Sequence, residues 1–225
     1  MGPEAVSCAV VFDCDGVLVD TQACWNTAFS RGASHYGVEL LDEHLEQLLG
    51  SSIDAAADFI VARMHSHGKN GRAPYAQAVA RHLYDELLAA IGETDLHLLP
   101  GVEQTLSRLI DVPRAVASNA PSKLLQSVLK RLGIDNQFRV ILGADDVESP
   151  KPAPDIYLLA CARLGVPPGR ALALEDSIIG ISAALAAGMD VLAVTGELAA
   201  TPASLTVRRL DDPSALRWLQ ERLSH

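Results

Sequence analysis

The chain has 225 residues, of which 49% are hydrophobic and 20% are charged, the balance of a folded globular protein rather than a disordered one. Its formal net charge is −10, which makes it a poor candidate for nonspecific binding to nucleic acid or to anionic membranes, because such binding needs a basic surface. No apolar segment reaches the roughly 20 residues of a membrane-spanning helix, and we expect neither a nucleic acid nor a membrane as a partner.

Five apolar segments of strand length are separated by helical patterns. None of them alternates clearly between apolar and polar residues, which is typical of parallel strands that are buried on both faces. Helical patterns occur at Pro121–Leu132, Pro154–Leu164 and Ser177–Ala187, and each ends before a glycine. Alternating strands and helices predict a doubly wound (Rossmann-like) α/β fold with a parallel sheet. The predicted strands are Ala9–Phe12, Arg114–Ala117, Arg139–Leu142, Ala171–Leu174 and Val191–Val194.

The stretch between residues 22 and 98 interrupts this alternation, because no convincing strand pattern occurs in it. It contains four helical patterns, with the linker-like residues 67–74 between the last two. We therefore predict an all-helical domain over residues 22–98, inserted into an α/β catalytic core of residues 1–21 and 99–225. The predicted helices of the insertion are Ala23–Tyr36, Asp42–Leu49, Asp54–His67 and Tyr75–Ile91.

Polar residues suited to phosphate or metal chemistry follow four of the five predicted strands. In an open parallel sheet, ligands bind beyond the carboxyl ends of the strands, near the point where the strand order reverses. Taken singly, each group has an ordinary interpretation as a turn, a helix cap or a surface lysine. Their occurrence in order, each after a strand, favours one shared site. The candidate residues are Asp13, Asp15, Ser118, Asn119, Lys151, Glu175 and Asp176.

These residue types match the needs of phosphoryl transfer. A phosphate ester resists attack by an anion, so catalysis requires a nucleophile, a cation and an acid for the leaving oxygen. Asp13 can attack phosphorus and form an acyl phosphate, and Asp15, two residues on, can exchange the proton. Ser118, backbone N–H groups near Asn119, and Lys151 can hold phosphoryl oxygens. The crowded carboxylates suit Mg²⁺, and crowding should raise the pKa of one of them.

The motifs together resemble those of the haloacid dehalogenase superfamily. The segment VVFDCDGVLVDT at residues 10–21 resembles its first motif, and Ser118-Asn119 resembles its second. The segment KPAPD, which begins at Lys151, resembles the third motif. The segment EDS, which begins at Glu175, resembles the fourth motif together with Gly180. The helical insertion resembles the C1 cap of the branch that contains phosphoglycolate phosphatases and β-phosphoglucomutases.

The resemblance implies a Mg²⁺-dependent phosphatase that hydrolyses a small phosphorylated metabolite through an aspartyl-phosphate on Asp13. Asp15 would be the general acid and base, and Ser118 and Lys151 would hold the phosphoryl group. The cap would close over the site and choose the substrate, which the sequence does not identify. The implied metal site consists of Asp13, the backbone carbonyl of Asp15, Asp176 and, directly or through water, Glu175.

A phosphomutase of the β-phosphoglucomutase type is the alternative function. That branch places a histidine and an arginine in the cap, where this chain has Trp25 and Ile53, and both departures weaken the mutase interpretation. A dehalogenase would need neither Asp15 nor Asp176. A noncatalytic binding protein would have no need of all four groups.

The four cysteines, at positions 8, 14, 24 and 161, show neither C-x-x-C spacing nor a paired framework. Reduced thiols are the default in such a chain, which favours a cytoplasmic location. For its assembly we expect a monomer or a weak dimer.

Overall fold

The computed structural model describes residues 8–66, 76–196 and 202–224. The chain divides into two compact units: one comprises Thr21–Leu96, and the other comprises Met1–Asp20 together with His97–His225. The predicted linker at residues 67–74 and the predicted helix ends at His67 and Tyr75 lie outside the described residues. No helix within the described ranges combines the length and the apolar character that a bilayer-spanning helix requires.

The described part of the Thr21–Leu96 unit forms helices and no strand. Its helices are α1 (Gln22–His35), α2 (Asp42–Gln47), α3 (Ile53–Ser66) and α4 (Ala76–Glu93). Helices α1 and α4 pack closely against each other. A Cβ atom on Gly32 of α1 would lie only 2.3 Å from Leu83 Cδ2 of α4. Phe29 of α1 and Leu87 of α4 are buried at helical spacing from these two residues, and each such side chain stabilises the unit by roughly 1.5–3 kcal/mol. Packing of apolar helix faces therefore holds this unit together.

The other unit contains a six-stranded parallel sheet. The strands among the described residues are β1 (Ala9–Phe12), β2 (Arg114–Ala117), β3 (Val140–Leu142), β4 (Ala171–Glu175), β5 (Asp190–Val194) and β6 (Leu205–Val207). Their order is β3-β2-β1-β4-β5-β6, and every neighbouring pair is parallel. The predicted doubly wound α/β fold is confirmed.

Buried side chains on both faces of the sheet explain why its strands do not alternate in polarity. The helices of this unit are α5 (Val102–Arg108), α6 (Ser122–Arg131), α7 (Asp155–Leu164), α8 (Ile178–Ala186) and α9 (Pro213–Leu223). Ala9 and Val11 of β1 belong to a core cluster with residues of α7 and α8. Val10 and Phe12 point to the opposite face and are also fully buried. The central strand therefore has no solvent-exposed face.

Three elements of this unit were not predicted from the sequence: β6, α5 and α9. β6 has only three residues and is partly exposed, so it lacks an apolar segment of ordinary strand length. α9 begins after Asp212, whose carboxylate accepts a hydrogen bond from the Ser214 N–H at 2.8 Å, with Pro213 in the first turn. Those are ordinary helix-start residues. The fourth strand also extends one residue further than predicted and ends at Glu175.

Candidate active site

The predicted site residues follow strands at the centre of the sheet. β1 lies between β2 and β4, where the strand order reverses. Asp13 follows β1 and its N–H donates to the Leu174 carbonyl at 2.9 Å, while the Ser118 N–H donates to the Leu142 carbonyl at 3.1 Å. Glu175 is the last residue of β4. The pairing of parallel strands therefore brings together side chains that are far apart in sequence.

Lys151 is the buried cation of the site. Its Nζ atom donates to Asp13 Oδ1 at 2.6 Å and to Glu175 Oε1 at 2.5 Å. Only 2% of the lysine side chain is exposed, so these two ion pairs form away from bulk water, where charge–charge interactions are strong. Lys151, which was predicted to hold a phosphoryl oxygen, thus lies against two of the predicted acidic residues in the structure.

Asn119 fixes the loop that carries the lysine. Its side-chain amide donates to the Lys151 carbonyl at 3.1 Å, and its side-chain oxygen accepts from the Lys151 N–H at 3.0 Å. This bidentate contact orients the backbone of Lys151. The Asn119 side chain thus holds the loop of Lys151, while the predicted phosphate contact concerns backbone N–H groups near Asn119.

Asp15 and Ser118 form the second contact of the site. The Ser118 hydroxyl donates to Asp15 Oδ2 at 3.1 Å and accepts a hydrogen bond from the Ala120 N–H at 3.0 Å. Ser118 is fully buried, whereas Asp15 is half-buried. The carboxyl of Asp15 thus lies at the more accessible side of the site, next to a hydroxyl group.

Asp176 packs against the turn that follows β1. Gly16 has a φ of +77° there, and a Cβ atom at this position would lie 1.9 Å from Asp176 Oδ2. Only glycine combines this backbone conformation with so close an approach of a carboxylate. Gly16 therefore makes room for Asp176 beside the first motif.

Acidic groups outnumber basic ones in this site. Burial raises the pKa of Asp13 well above its ordinary value; Lys151 opposes this rise, and the neighbouring carboxyls add to it. Burial also raises the pKa of Asp176 to about 8, with further contributions from Glu175 and Asp15. Burial lowers the pKa of Lys151, but Asp13 and Glu175 outweigh that effect and the net pKa is raised, so the ammonium keeps its charge. Crowding was expected to raise the pKa of one carboxyl. In the structure burial is the first cause, and the pKa values of two carboxyls, Asp13 and Asp176, are raised.

The same carboxyls could hold a metal ion. Oxygen atoms of Asp13, Glu175 and Asp176 lie within 4.8 Å of one another. Carboxylate oxygens so close together, with one lysine to balance them, fit a hard divalent cation such as Mg²⁺. Among the described residues, no other group of three or more acidic, histidine or cysteine side chains has this arrangement.

Two further residues contact the site. Tyr157 of α7 is fully buried, and its hydroxyl donates to Glu175 Oε1 at 2.5 Å. Ser177 caps α8 by accepting from the Gly180 N–H at 3.0 Å, and its hydroxyl lies 3.3 Å from Glu175 Oε2. Tyr157 lies in a helix that was predicted, and a buried tyrosine hydroxyl needs a partner. The sequence alone does not show which partner it has, so Tyr157 was not among the predicted site residues.

Comparison with known families supports the assignment that the motifs suggested. The haloacid dehalogenase-like hydrolase family matches residues 10–194, a range that contains every predicted site residue. The chain therefore belongs to this family. The prediction of an enzyme of the haloacid dehalogenase superfamily is confirmed.

Similar proteins include both phosphatases and phosphomutases. Fructose-1-phosphate phosphatase YqaB of Escherichia coli (strain K12) is 31% identical over 189 residues, which cover 82% of this chain and 95% of the relative. β-Phosphoglucomutase of Bacillus subtilis (strain 168) is 30% identical over 204 residues, covering 91% of this chain and 90% of the relative. The crystal structure of β-phosphoglucomutase from Clostridium difficile has a TM-score of 0.84 at 25% identity and covers 96% of each chain.

Proposed function

We propose that the chain is a Mg²⁺-dependent phosphatase that hydrolyses a small phosphorylated sugar or related metabolite through an aspartyl-phosphate on Asp13. The observation that carries this proposal is the pairing of Asp13 with the buried Lys151, beside Asp176, at the switch point of the sheet. A nucleophile, a fixed positive charge and oxygens for a cation are thus combined in one place. The substrate class is supported by the relative named fructose-1-phosphate phosphatase.

The metal would be held by the side chains of Asp13 and Asp176 and by the backbone carbonyl of Asp15. The pKa values of Asp13 and Asp176 are raised, first by burial, although Lys151 lowers both. One ammonium group therefore does not offset the negative charge of these carboxyls, which supports a cation at this place. Bound Mg²⁺ supplies the positive charge that allows a phosphate dianion to approach these carboxylates.

Asp13 would attack first. One of its carboxylate oxygens forms a bond to phosphorus, and the bond between phosphorus and the ester oxygen breaks. Lys151 and the Ser118 hydroxyl donate hydrogen bonds to the phosphoryl oxygens during this transfer. Asp15 gives its proton to the departing oxygen, so the product leaves as an alcohol and Asp13 carries the phosphoryl group.

Water would then regenerate the enzyme. Asp15, now a carboxylate, takes a proton from a water molecule whose oxygen attacks phosphorus. The bond between phosphorus and Asp13 breaks, which releases inorganic phosphate and restores the Asp13 carboxylate. Asp15 is protonated again and ready for the next ester.

The helical insertion at residues 22–98 is proposed as the cap domain that selects the substrate, with residues 1–21 and 99–225 as the catalytic core. The cytoplasmic location and the monomeric or weakly dimeric state stay predictions. The particular sugar or metabolite also has to be found by experiment.

A phosphomutase is the second candidate, because the chain is similar to β-phosphoglucomutases in sequence and in fold. A mutase must keep water away from the aspartyl-phosphate and hold a second phosphate. Trp25 is buried against Phe29, with ring centroids 5.5 Å apart, and Ile53 is buried at the start of α3. Neither side chain can neutralise a second phosphate, which supports hydrolysis.

Product analysis distinguishes these two functions. The protein would first be assayed for phosphate release from fructose 1-phosphate, other sugar phosphates, phosphoglycolate and nucleotides, with and without Mg²⁺. It would then be incubated with β-glucose 1-phosphate, a trace of glucose 1,6-bisphosphate and Mg²⁺. Phosphate release without isomerised sugar supports the phosphatase, whereas glucose 6-phosphate formed much faster than free phosphate would identify a mutase.

Replacing Asp15 with asparagine should slow hydrolysis of a sugar phosphate by about 10²–10⁴-fold, because general acid–base help is lost. The proposed metal contact of Asp15 uses its backbone and is kept. p-Nitrophenyl phosphate needs no acid for its leaving group, so the first step with this substrate should be affected much less. A loss below tenfold with the sugar phosphate would count against Asp15 as the acid and base.

Replacing Gly16 with alanine should impair the metal site, since the new methyl group would displace Asp176. We expect turnover to fall by more than about tenfold and the Mg²⁺ concentration for half-maximal activity to rise. Gly133→Ala is a matched control, because Gly133 has a φ of +71° but open space around its Cβ position. Both variants should lose about 1–2 kcal/mol of stability from left-handed backbone strain. If Gly133→Ala lost as much activity as Gly16→Ala, strain rather than displacement of Asp176 would be the cause.

A further inference from the structure

Glu175 is surrounded by hydrogen-bond donors on both of its oxygens. Oε1 accepts from Lys151 Nζ at 2.5 Å and from the Tyr157 hydroxyl at 2.5 Å. Oε2 lies 3.2 Å from the Asp176 N–H, 3.4 Å from the Ser177 N–H and 3.3 Å from the Ser177 hydroxyl. An ionised carboxylate offers about four lone-pair positions. Five protein donors therefore occupy this side chain, which is also fully buried.

This environment separates Glu175 from the other carboxyls of the acidic group. Its oxygens are close enough to those of Asp13 and Asp176 to share a cation. Distance alone is not sufficient, however, because a metal bond needs a lone pair that is directed at the ion. Asp176 differs because it is half-buried and its carboxylate lies beside the turn at Gly16, where Oδ2 would be 1.9 Å from a Cβ atom on that glycine. Asp176 therefore fits the metal, whereas Glu175 fits the lysine.

Tyr157 completes the contact between Glu175 and Lys151. Burial raises the pKa of the Tyr157 phenol well above its ordinary value, so it stays a hydrogen-bond donor. Its ring also lies under the ammonium group, with Lys151 Nζ 5.0 Å from the ring centroid. The phenol thus contacts the lysine through its ring and orients the carboxylate that the lysine binds.

We propose that Tyr157 is a positioning residue for Lys151, acting through Glu175, and that Glu175 is not a direct ligand of the metal. Lys151 Nζ is shared between Asp13 and Glu175, and it must reach the phosphoryl oxygens when Asp13 attacks. A carboxylate held by Tyr157 and by the start of α8 gives the ammonium one partner that stays in place throughout. This proposal rests on the proposed function, because the phosphoryl group is what Lys151 is positioned to bind.

The test compares three variants with the wild-type protein by calorimetric binding of Mg²⁺ alone and of inorganic phosphate in the presence of Mg²⁺. Tyr157→Phe removes one hydroxyl and keeps the ring. It should weaken phosphate binding and lower kcat roughly tenfold, since one hydrogen bond to a charged group is lost, while Mg²⁺ affinity stays within about twofold. Glu175→Gln should also keep its Mg²⁺ affinity, whereas Asp176→Asn should lose at least about tenfold.

Tyr36→Phe is the matched control, because it removes a hydroxyl that donates to the Ala78 carbonyl at 3.4 Å in the helical unit. It should leave both affinities unchanged. A Tyr157→Phe protein that melts at a lower temperature but binds phosphate normally would overturn the positioning role. Glu175→Gln with the same Mg²⁺ deficit as Asp176→Asn would identify Glu175 as a metal ligand and also overturn the proposal. If the wild-type protein hydrolysed no ester, the phosphatase assignment would fail, while the two binding measurements would still decide the role of Tyr157.

Discussion

Replacing Asp13 with asparagine is expected to abolish phosphate release, with a loss of roughly 10⁴-fold or more. The amide has the size of the carboxylate but cannot form the acyl phosphate on which both steps depend. We expect the variant to stay folded. The pKa of Asp13 is raised in the folded protein, first by burial. The ionised carboxylate therefore destabilises the folded state at neutral pH, and replacing it with the neutral amide removes this cost.

Asp111→Asn provides the control for this variant, because Asp111 is an exposed carboxylate in the same unit and lies outside the four motifs. Both proteins would be assayed for phosphate release from sugar phosphates and p-nitrophenyl phosphate at saturating Mg²⁺. Their thermal unfolding would be recorded in parallel. Asp111→Asn should resemble the wild type. If Asp13→Asn retained more than about a hundredth of the wild-type rate, Asp13 would be ruled out as the nucleophile.

Removing the metal should have the second largest effect. The site combines four carboxyl groups with one buried lysine, and a phosphate dianion adds further negative charge. Each pair of like charges about 4 Å apart costs about 4 kcal/mol at an intermediate effective dielectric constant, so several unscreened pairs would stop the reaction. We expect chelation to lower turnover by about 10³-fold or more.

This effect must be reversible if it reflects the site rather than loss of the fold. Excess Mg²⁺ added after the chelator should restore the full rate. Mg²⁺ should also raise the melting temperature, because it binds the folded protein and relieves repulsion between Asp13 and Asp176. Full turnover by the chelator-treated protein would show that the proposed metal-assisted mechanism is wrong.

The fold could be predicted because its strands are buried on both faces. The segment Ala9–Phe12 consists of apolar residues, and its structure has the same bounds as its prediction. β6 could not be found in this way, because Leu205–Val207 is short and lies at the edge of the sheet. α9, in contrast, has a recognisable start at Asp212-Pro213, so the sequence does contain a signal for this helix.

The members of the candidate site could be predicted from the positions of polar residues after strands, but their partners could not. Asp13, Asp15 and Lys151 were chosen for their chemistry. Asp13 forms an ion pair with Lys151, and Asp15 accepts a hydrogen bond from Ser118 in a second contact. A phosphate contact from backbone N–H groups near Asn119 stays a prediction, and the sequence did not show that the Asn119 side chain orients the backbone of Lys151. The environment of Glu175 depends on how α7 packs against the sheet, a long-range contact that no local pattern specifies.

The most direct test of the central claim is the detection of a phosphoryl group bound covalently to Asp13. Asp15→Asn protein would be mixed with Mg²⁺ and ³²P-labelled p-nitrophenyl phosphate, which forms the intermediate without an acid while its hydrolysis by water is slow. After acid quenching and proteolysis, the account predicts label on the peptide that contains Asp13. Hydroxylamine should release this label, and a double variant that carries both Asp15→Asn and Asp13→Asn should have none. Release of labelled phosphate with no label on the protein, or with label on another residue, would contradict it.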